Sequence, residues 1–145
     1  MSLPNYLSKK GYKKKRLKLT KTNHFKVSAT INGVKGKFIV DTGASNTCID
    51  SALAEHFNLN SEESDTKAAG AGATDMNTQL AKDNSLKIGT WKSKKNHIIL
   101  FDLSHVNQAL TNHNSKPVHG IIGADILKKG KAIIDYKNNF LYLKQ

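Results

Sequence analysis

Asp41-Thr42-Gly43 places a carboxylate at the end of the apolar run Phe38-Ile39-Val40. A buried acid costs free energy unless it is paired, hydrogen-bonded or put to use. Its use would be proton transfer, as a base when ionised and as an acid when protonated. The plainer reading is a polar turn in which Asp41 or Ser45 caps a following helix.

The other reactive side chains offer less. Cys48 is the sole cysteine, which excludes an internal disulfide and a cysteine-based zinc site, and it reads as a small buried residue rather than a nucleophile. His24, His56, His97, His105, His113 and His119 lack the spacing of metal ligands, so no metal or other cofactor is expected. Asp125 follows Gly123 and reads as a helix cap, and Asp135 in Ile133-Ile134-Asp135-Tyr136 as a surface or hairpin residue. Trp91 reads as core or interface.

The elements that must position Asp41 are mostly strands. Phe25, Val27, Ala29 and Ile31 alternate with Lys26, Ser28 and Thr30, the period of a half-buried strand. Asn32-Gly33 then predicts a tight hairpin, and the return strand from Val34 to Val40 delivers Asp41 at its tip. Asp50 to Phe57 predicts one short helix, with Leu53, Ala54 and Phe57 on one face. Lys67 to Thr74, KAAGAGAT, is small and glycine-rich.

Leu86 to Trp91 and His97 to Leu103 predict two strands, with Gly89 as a bulge. A helical turn is expected at Val106 to Leu110. Val118 to Gly123 reads as a strand ending in glycine, followed by a short helix over Ala124 to Lys129. A final hairpin joins Ala132–Tyr136 to Phe140–Leu143 around Lys137-Asn138-Asn139. Many short strands with one or two short helices predict a closed or sandwich-like all-β domain.

Composition agrees with a single globular domain: 145 residues, 38% hydrophobic and 23% charged. No window has the apolar length of a membrane span, and Lys9-Lys10 precede no apolar run of a secretory signal. With one thiol, a cytoplasmic setting is the expectation. Of the net charge of +12, +8 falls in residues 1–22. That segment is a basic N-terminal arm or an edge strand, since Leu17 and Leu19 alternate with Arg16, Lys18 and Thr20. Lysines at 9–21 could contact nucleic acid through phosphates, but no aromatic-interleaved platform accompanies them.

Asp41-Thr42-Gly43-Ala44-Ser45 after an apolar strand resembles the active-site loop of the retropepsin-like aspartic proteases, single-domain relatives of pepsin. A second element, Ile121-Ile122-Gly123-Ala124-Asp125-Ile126-Leu127, lies about 80 residues on and resembles the family's apolar-apolar-glycine segment and helix. The resemblance spans Phe25 to Leu143 and implies a single-lobed acid-protease β-barrel over residues 23–145. It implies an aspartic endopeptidase acting on an extended polypeptide. The chain has one Asp-Thr-Gly and no Asp-Ser-Gly, so the family's paired carboxylates require a homodimer with Asp41 from each copy.

By the same resemblance, the Thr42 hydroxyl reaches the partner loop, and the Gly43 amide bonds a carboxylate. Ala44 and Ser45 continue the turn, with Ser45 steadying the outer carboxylate oxygen. Ile122 and Gly123 pass beneath the loop. Gly70, Ala71 and Gly72 stand where the family has a flap, though without its usual larger residue at the tip; otherwise KAAGAGAT is a mobile loop. Two other functions are compatible with the residues: a catalytically idle binding or dimerisation module on this fold, and a nucleic-acid binder acting through the basic segment.

Overall fold

A computed structural model of the chain describes residues 2–64 and 78–145. Residues 2–22 contribute a helix and two strands. Ser2 caps α1 (Leu3–Lys9) by accepting from the Asn5 amide at 3.3 Å, and Pro4 sits in its first turn. The sequence reading placed no helix here. With only Leu7 buried, α1 lacks the long apolar stripe that announces a helix. Next come β1 (Tyr12–Arg16) and the two-residue β2 (Lys18–Leu19), both lying along sheet edges.

The alternating segment forms β3 (Phe25–Ile31), with its odd-numbered residues buried. Asn32 and Gly33 both take positive φ, 49° and 83°, as the tight turn requires. The turn returns the chain as β4 (Val34–Val40) in register from Phe25↔Val40 to Ile31↔Val34. After the Asp41 loop come β5 (Cys48–Asp50) and a single 3-10 turn at Ser51–Leu53, where Asp50 accepts from the Ala52 amide at 3.4 Å. The single helix expected over Asp50 to Phe57 is therefore only this turn followed by irregular turns. Phe57 is buried against Gly36 and Phe38, and that contact, rather than helical periodicity, shapes the segment.

β6 (Ser61–Ser64) pairs with β7 (Thr78–Ile88), which turns at Gly89-Thr90 into β8 (Trp91–Phe101). Gly89, at φ +58°, makes this hairpin turn and is not the expected bulge. Register shifts lie instead between Ala81 and Asn84 and between Asn84 and Leu86. Asn84 and Asn96 bond each other's carbonyls there, so two strands longer than expected stay paired through the irregularity.

α2 (Ser104–Asn112) exceeds the predicted turn. It leads to β9 (Gly120–Ile122), α3 (Ala124–Lys129), β10 (Ile133–Asp135) and β11 (Phe140–Lys144). The described residues thus contain three α-helices, where one or two were expected.

Hydrogen bonding in the order β3-β4-β9-β5-β8-β7, with β7 returning to β3, closes a six-stranded barrel. β2 and β6 hang from its rims, and β1-β11-β10 form a separate sheet. The barrel interior holds Phe38, Val40, Ile49, Leu100 and Ile122 among others. A second cluster on the opposite side of the same strands holds Ile39, Cys48, Ile99 and Ile121. β4 and β9 are therefore buried on both faces, which is why their central residues read as unbroken apolar runs. Fully burying a side chain such as Phe38 or Ile122 contributes about 1.5–3 kcal/mol.

Candidate active site

β4 runs parallel to β9, with Phe38 opposite Gly120 and Val40 opposite Ile122. The pairing continues one residue further, as the Asp41 amide donates to the Ile122 carbonyl at 3.0 Å. Asp41 thus leaves the sheet from a strand end held on both sides by β3 and β9. The loop then folds back on itself. The Ala44 amide donates to the Asp41 carbonyl at 3.2 Å, and the Gly43 amide donates to Asp41 Oδ1 at 2.9 Å. Asp41 is half-buried, and Thr42, Gly43 and Ser45 are exposed, while Ala44 is buried in the second cluster.

Gly123 fastens this loop from behind. A Cβ there would fall 2.7–2.8 Å from backbone atoms of Ala44 and Asn46, so only glycine permits the approach. Across the contact, the Ala124 amide donates to the Ala44 carbonyl at 2.7 Å, and the Asp125 amide to the Ser45 carbonyl at 3.3 Å. Thr47, fully buried, completes the clamp. Its hydroxyl donates to Asp125 Oδ1 at 2.8 Å and accepts from the Gly123 amide at 3.0 Å. Its amide donates to both Asp125 oxygens at 2.9 and 3.0 Å.

Asp125 is therefore a bracket between two distant segments. Gly123 holds the N-cap position of α3, and the Asp125 carboxylate is taken up by Thr47 and by the amide of Ile126 at 2.8 Å. That corrects the expectation of a helix cap. Thr47 went unread in the sequence, since one threonine inside Asn46-Thr47-Cys48 breaks no pattern. The available signal was a polar residue at a position that the strand Cys48–Asp50 would bury.

Ser45, expected to steady the outer carboxylate oxygen, follows the buried Ala44 in the turn. It is exposed, and the donor to the Asp41 carboxylate is the Gly43 amide. Gly70, Ala71 and Gly72, expected as a flap, lie outside the described residues, in the connection between β6 and β7. Thr42 borders a cavity of about 300 Å³ whose wall includes Ala124, Leu127, Ala132 and Ile134.

The remaining candidates fall into structural places. Cys48 is buried, and burial pushes its thiol up to about 12, which denies it a thiolate at neutral pH. Asp135 is 8% exposed and accepts from the Asn138 amide and side chain, fixing the last hairpin turn rather than lying at the surface. Trp91 is core, with Nε1 donating to the Lys144 carbonyl at 3.1 Å. Among the described residues no group of three or more histidine, cysteine or acidic side chains could hold a metal ion. No helix among them is long and apolar enough to cross a membrane.

Comparison with known proteins agrees with this geometry. A search of curated proteins found no match. Among solved structures, the fold is similar to that of a retropepsin-like aspartic protease from Rickettsia conorii, at 22% identity and a TM-score of 0.61, covering 92% of this chain and 88% of that one. It is also similar to the EIAV protease complexed with the inhibitor HBY-793, at 18% identity and a TM-score of 0.55, covering 76% and 90%. A third likeness is the retroviral protease-like domain of Ddi1 from Leishmania major, at 22% identity and a TM-score of 0.53, covering 87% and 90%. The profile of the family described as Aspartyl protease matches residues 27–126, a span that contains both the Asp41 loop and the Gly123 segment clamped to it. The chain is a member of the aspartyl protease family, and its fold is similar to that of retropepsin-like proteases.

Proposed function

We propose that the protein is an aspartic endopeptidase that works as a homodimer, with Asp41 from each copy forming the catalytic pair. The observation that carries this reading is the seating of Asp41 at the end of β4, its carboxylate held by the Gly43 amide at 2.9 Å and its loop clamped by Gly123. A clamped loop presents the acid in one geometry, as proton transfer requires. One chain supplies one such acid. Thr42 and Gly43 are exposed beside it, so the loop face is available to a second copy.

In the pair, two carboxylates share one proton, because like charges held close cannot both ionise. The ionised carboxylate takes a proton from a bound water, whose oxygen attacks the peptide carbonyl carbon. The protonated carboxyl donates to the carbonyl oxygen, giving a tetrahedral diol. Collapse of the diol breaks the C–N bond: the carboxyl that took the water's proton gives it to the amine nitrogen, the other carboxylate takes a proton from a diol hydroxyl, and the pair again holds one proton. The apparent pKa values belong to the pair.

Asp41→Asn tests the reading. Cleavage of an unfolded protein substrate, including self-cleavage, should vanish while sedimentation shows the dimer unchanged. Undiminished cleavage by the variant would remove Asp41 from the mechanism. A wild-type chain that cleaves no peptide at any pH would make the protein an idle module on this fold.

A further inference from the structure

The outer face of β2, β3 and β4 concentrates positive charge that the catalytic reading does not use. Two adjoining hollows of about 420 and 380 Å³ share Lys15, Ser28 and Lys37 in their walls. The larger adds Lys18, Lys26 and Lys116; the smaller adds Lys35 and Lys87. The strand register explains the crowding. Lys18 lies directly opposite Lys26, Ser28 opposite Lys37, and Thr30 stands between Lys35 on one side and Lys87 on the other.

Like charges placed directly opposite on a sheet are destabilising. The charged groups that act on Lys26 are Lys18, Lys116 and Lys37, all cations. Burial first, and then these neighbours, hold its ammonium below the usual lysine range. A groove that keeps such a cost in the free protein is relieved by an anionic occupant.

We infer that this groove binds an acidic stretch of polypeptide and serves as a docking site beside the catalytic loop. Three observations select that occupant. The walls hold aliphatic stems and hydroxyls with no aromatic ring on which bases could stack. The charges are almost all lysine point charges rather than the planar guanidinium forks that suit phosphates, and Arg16 already lies over the Phe140 ring at 5.0 Å. Lys26 pairs with Ile39, two residues before Asp41, roughly 7 Å along the strand at the usual rise per residue. One polypeptide can therefore lie in the groove and reach the loop. Only the purpose of the docking rests on the proteolytic reading; the binding itself does not.

The experiment measures binding of a fluorescent decaglutamate peptide by anisotropy at several salt concentrations, using the Asp41→Asn protein so that no cleavage intervenes. A parallel titration uses duplex DNA of equal charge. Lys26→Glu/Lys37→Glu halves the charge of the eight cations lining the groove, from +8 to +4, and the fold should tolerate it because Lys26→Glu sets an acid opposite Lys18. Lys94→Glu/Lys95→Glu, neither of which lines either hollow, makes the same change in net charge. The expected result is salt-sensitive peptide binding that weakens at least tenfold in the groove variant and less than twofold in the control. Equal weakening in both variants would reduce the effect to net charge and overturn the proposal. Preference for DNA, or no peptide binding, would overturn it as well, whatever the proteolytic assay shows.

Discussion

Replacing Thr47 by Val keeps the shape of a fully buried side chain and removes the hydroxyl that joins the Asp41 loop to the Gly123 segment. Two bonds are lost. The bond to Asp125 is made to a charged acceptor and is worth about 1.5–3 kcal/mol. The Gly123 amide is left buried without its partner, at about 1–3 kcal/mol. Asp125 keeps the amides of Thr47 and Ile126, so its charge is not stranded, which argues for the lower end of both ranges. A total loss of about 3 kcal/mol follows. The assay is urea unfolding by linear extrapolation at one fixed protein concentration, because any dimer contributes a concentration-dependent part. Thr47→Ser, which keeps the hydroxyl, should lose less than half as much. Cleavage by Thr47→Val should fall further than its unfolded fraction explains, since the loop bearing Asp41 is no longer tied to Gly123. A loss below about 0.5 kcal/mol, or a Ser variant as damaged as the Val variant, would refute the clamp.

Gly123→Ala should cost about 1–3 kcal/mol, because its Cβ meets backbone at 2.7 Å and the loop must give way; thermal melts beside peptide cleavage would show both fall together, and an unchanged rate would mean the loop tolerates displacement. His119 predicts a pH effect, since its Nδ1 accepts from the Lys37 amide at 2.9 Å, and burial, then His56, lowers its pKa. The folded chain therefore resists a proton that the unfolded chain accepts, so this contribution is full above about pH 6.5 and fades as pH falls below it. His119→Gln, which can accept the bond without titrating, should flatten the stability slope between pH 5 and 7, and an unaltered slope would exclude His119 as its source.

The strand from Phe25 to Ile31, its Asn32-Gly33 turn and the delivery of Asp41 at the end of the return strand were all legible in the sequence. Period-2 burial and positive-φ turn residues act over a few neighbours, so they leave local marks. Asp41-Thr42-Gly43 and Ile122-Gly123 could likewise be picked out as motifs. Tertiary structure alone decided how they meet. The parallel pairing of β4 with β9, the Thr47–Asp125 bracket and the enclosure of Asp135 join residues whose contacts no local pattern encodes. The same holds for the N-terminal lysines, which charge alone could not place: β1 pairs with β11 from Tyr12↔Lys144 to Arg16↔Phe140 because the far end of the chain offers it an edge. Periodicity reports which face of an element is buried, and only the closed barrel determines what lies against it.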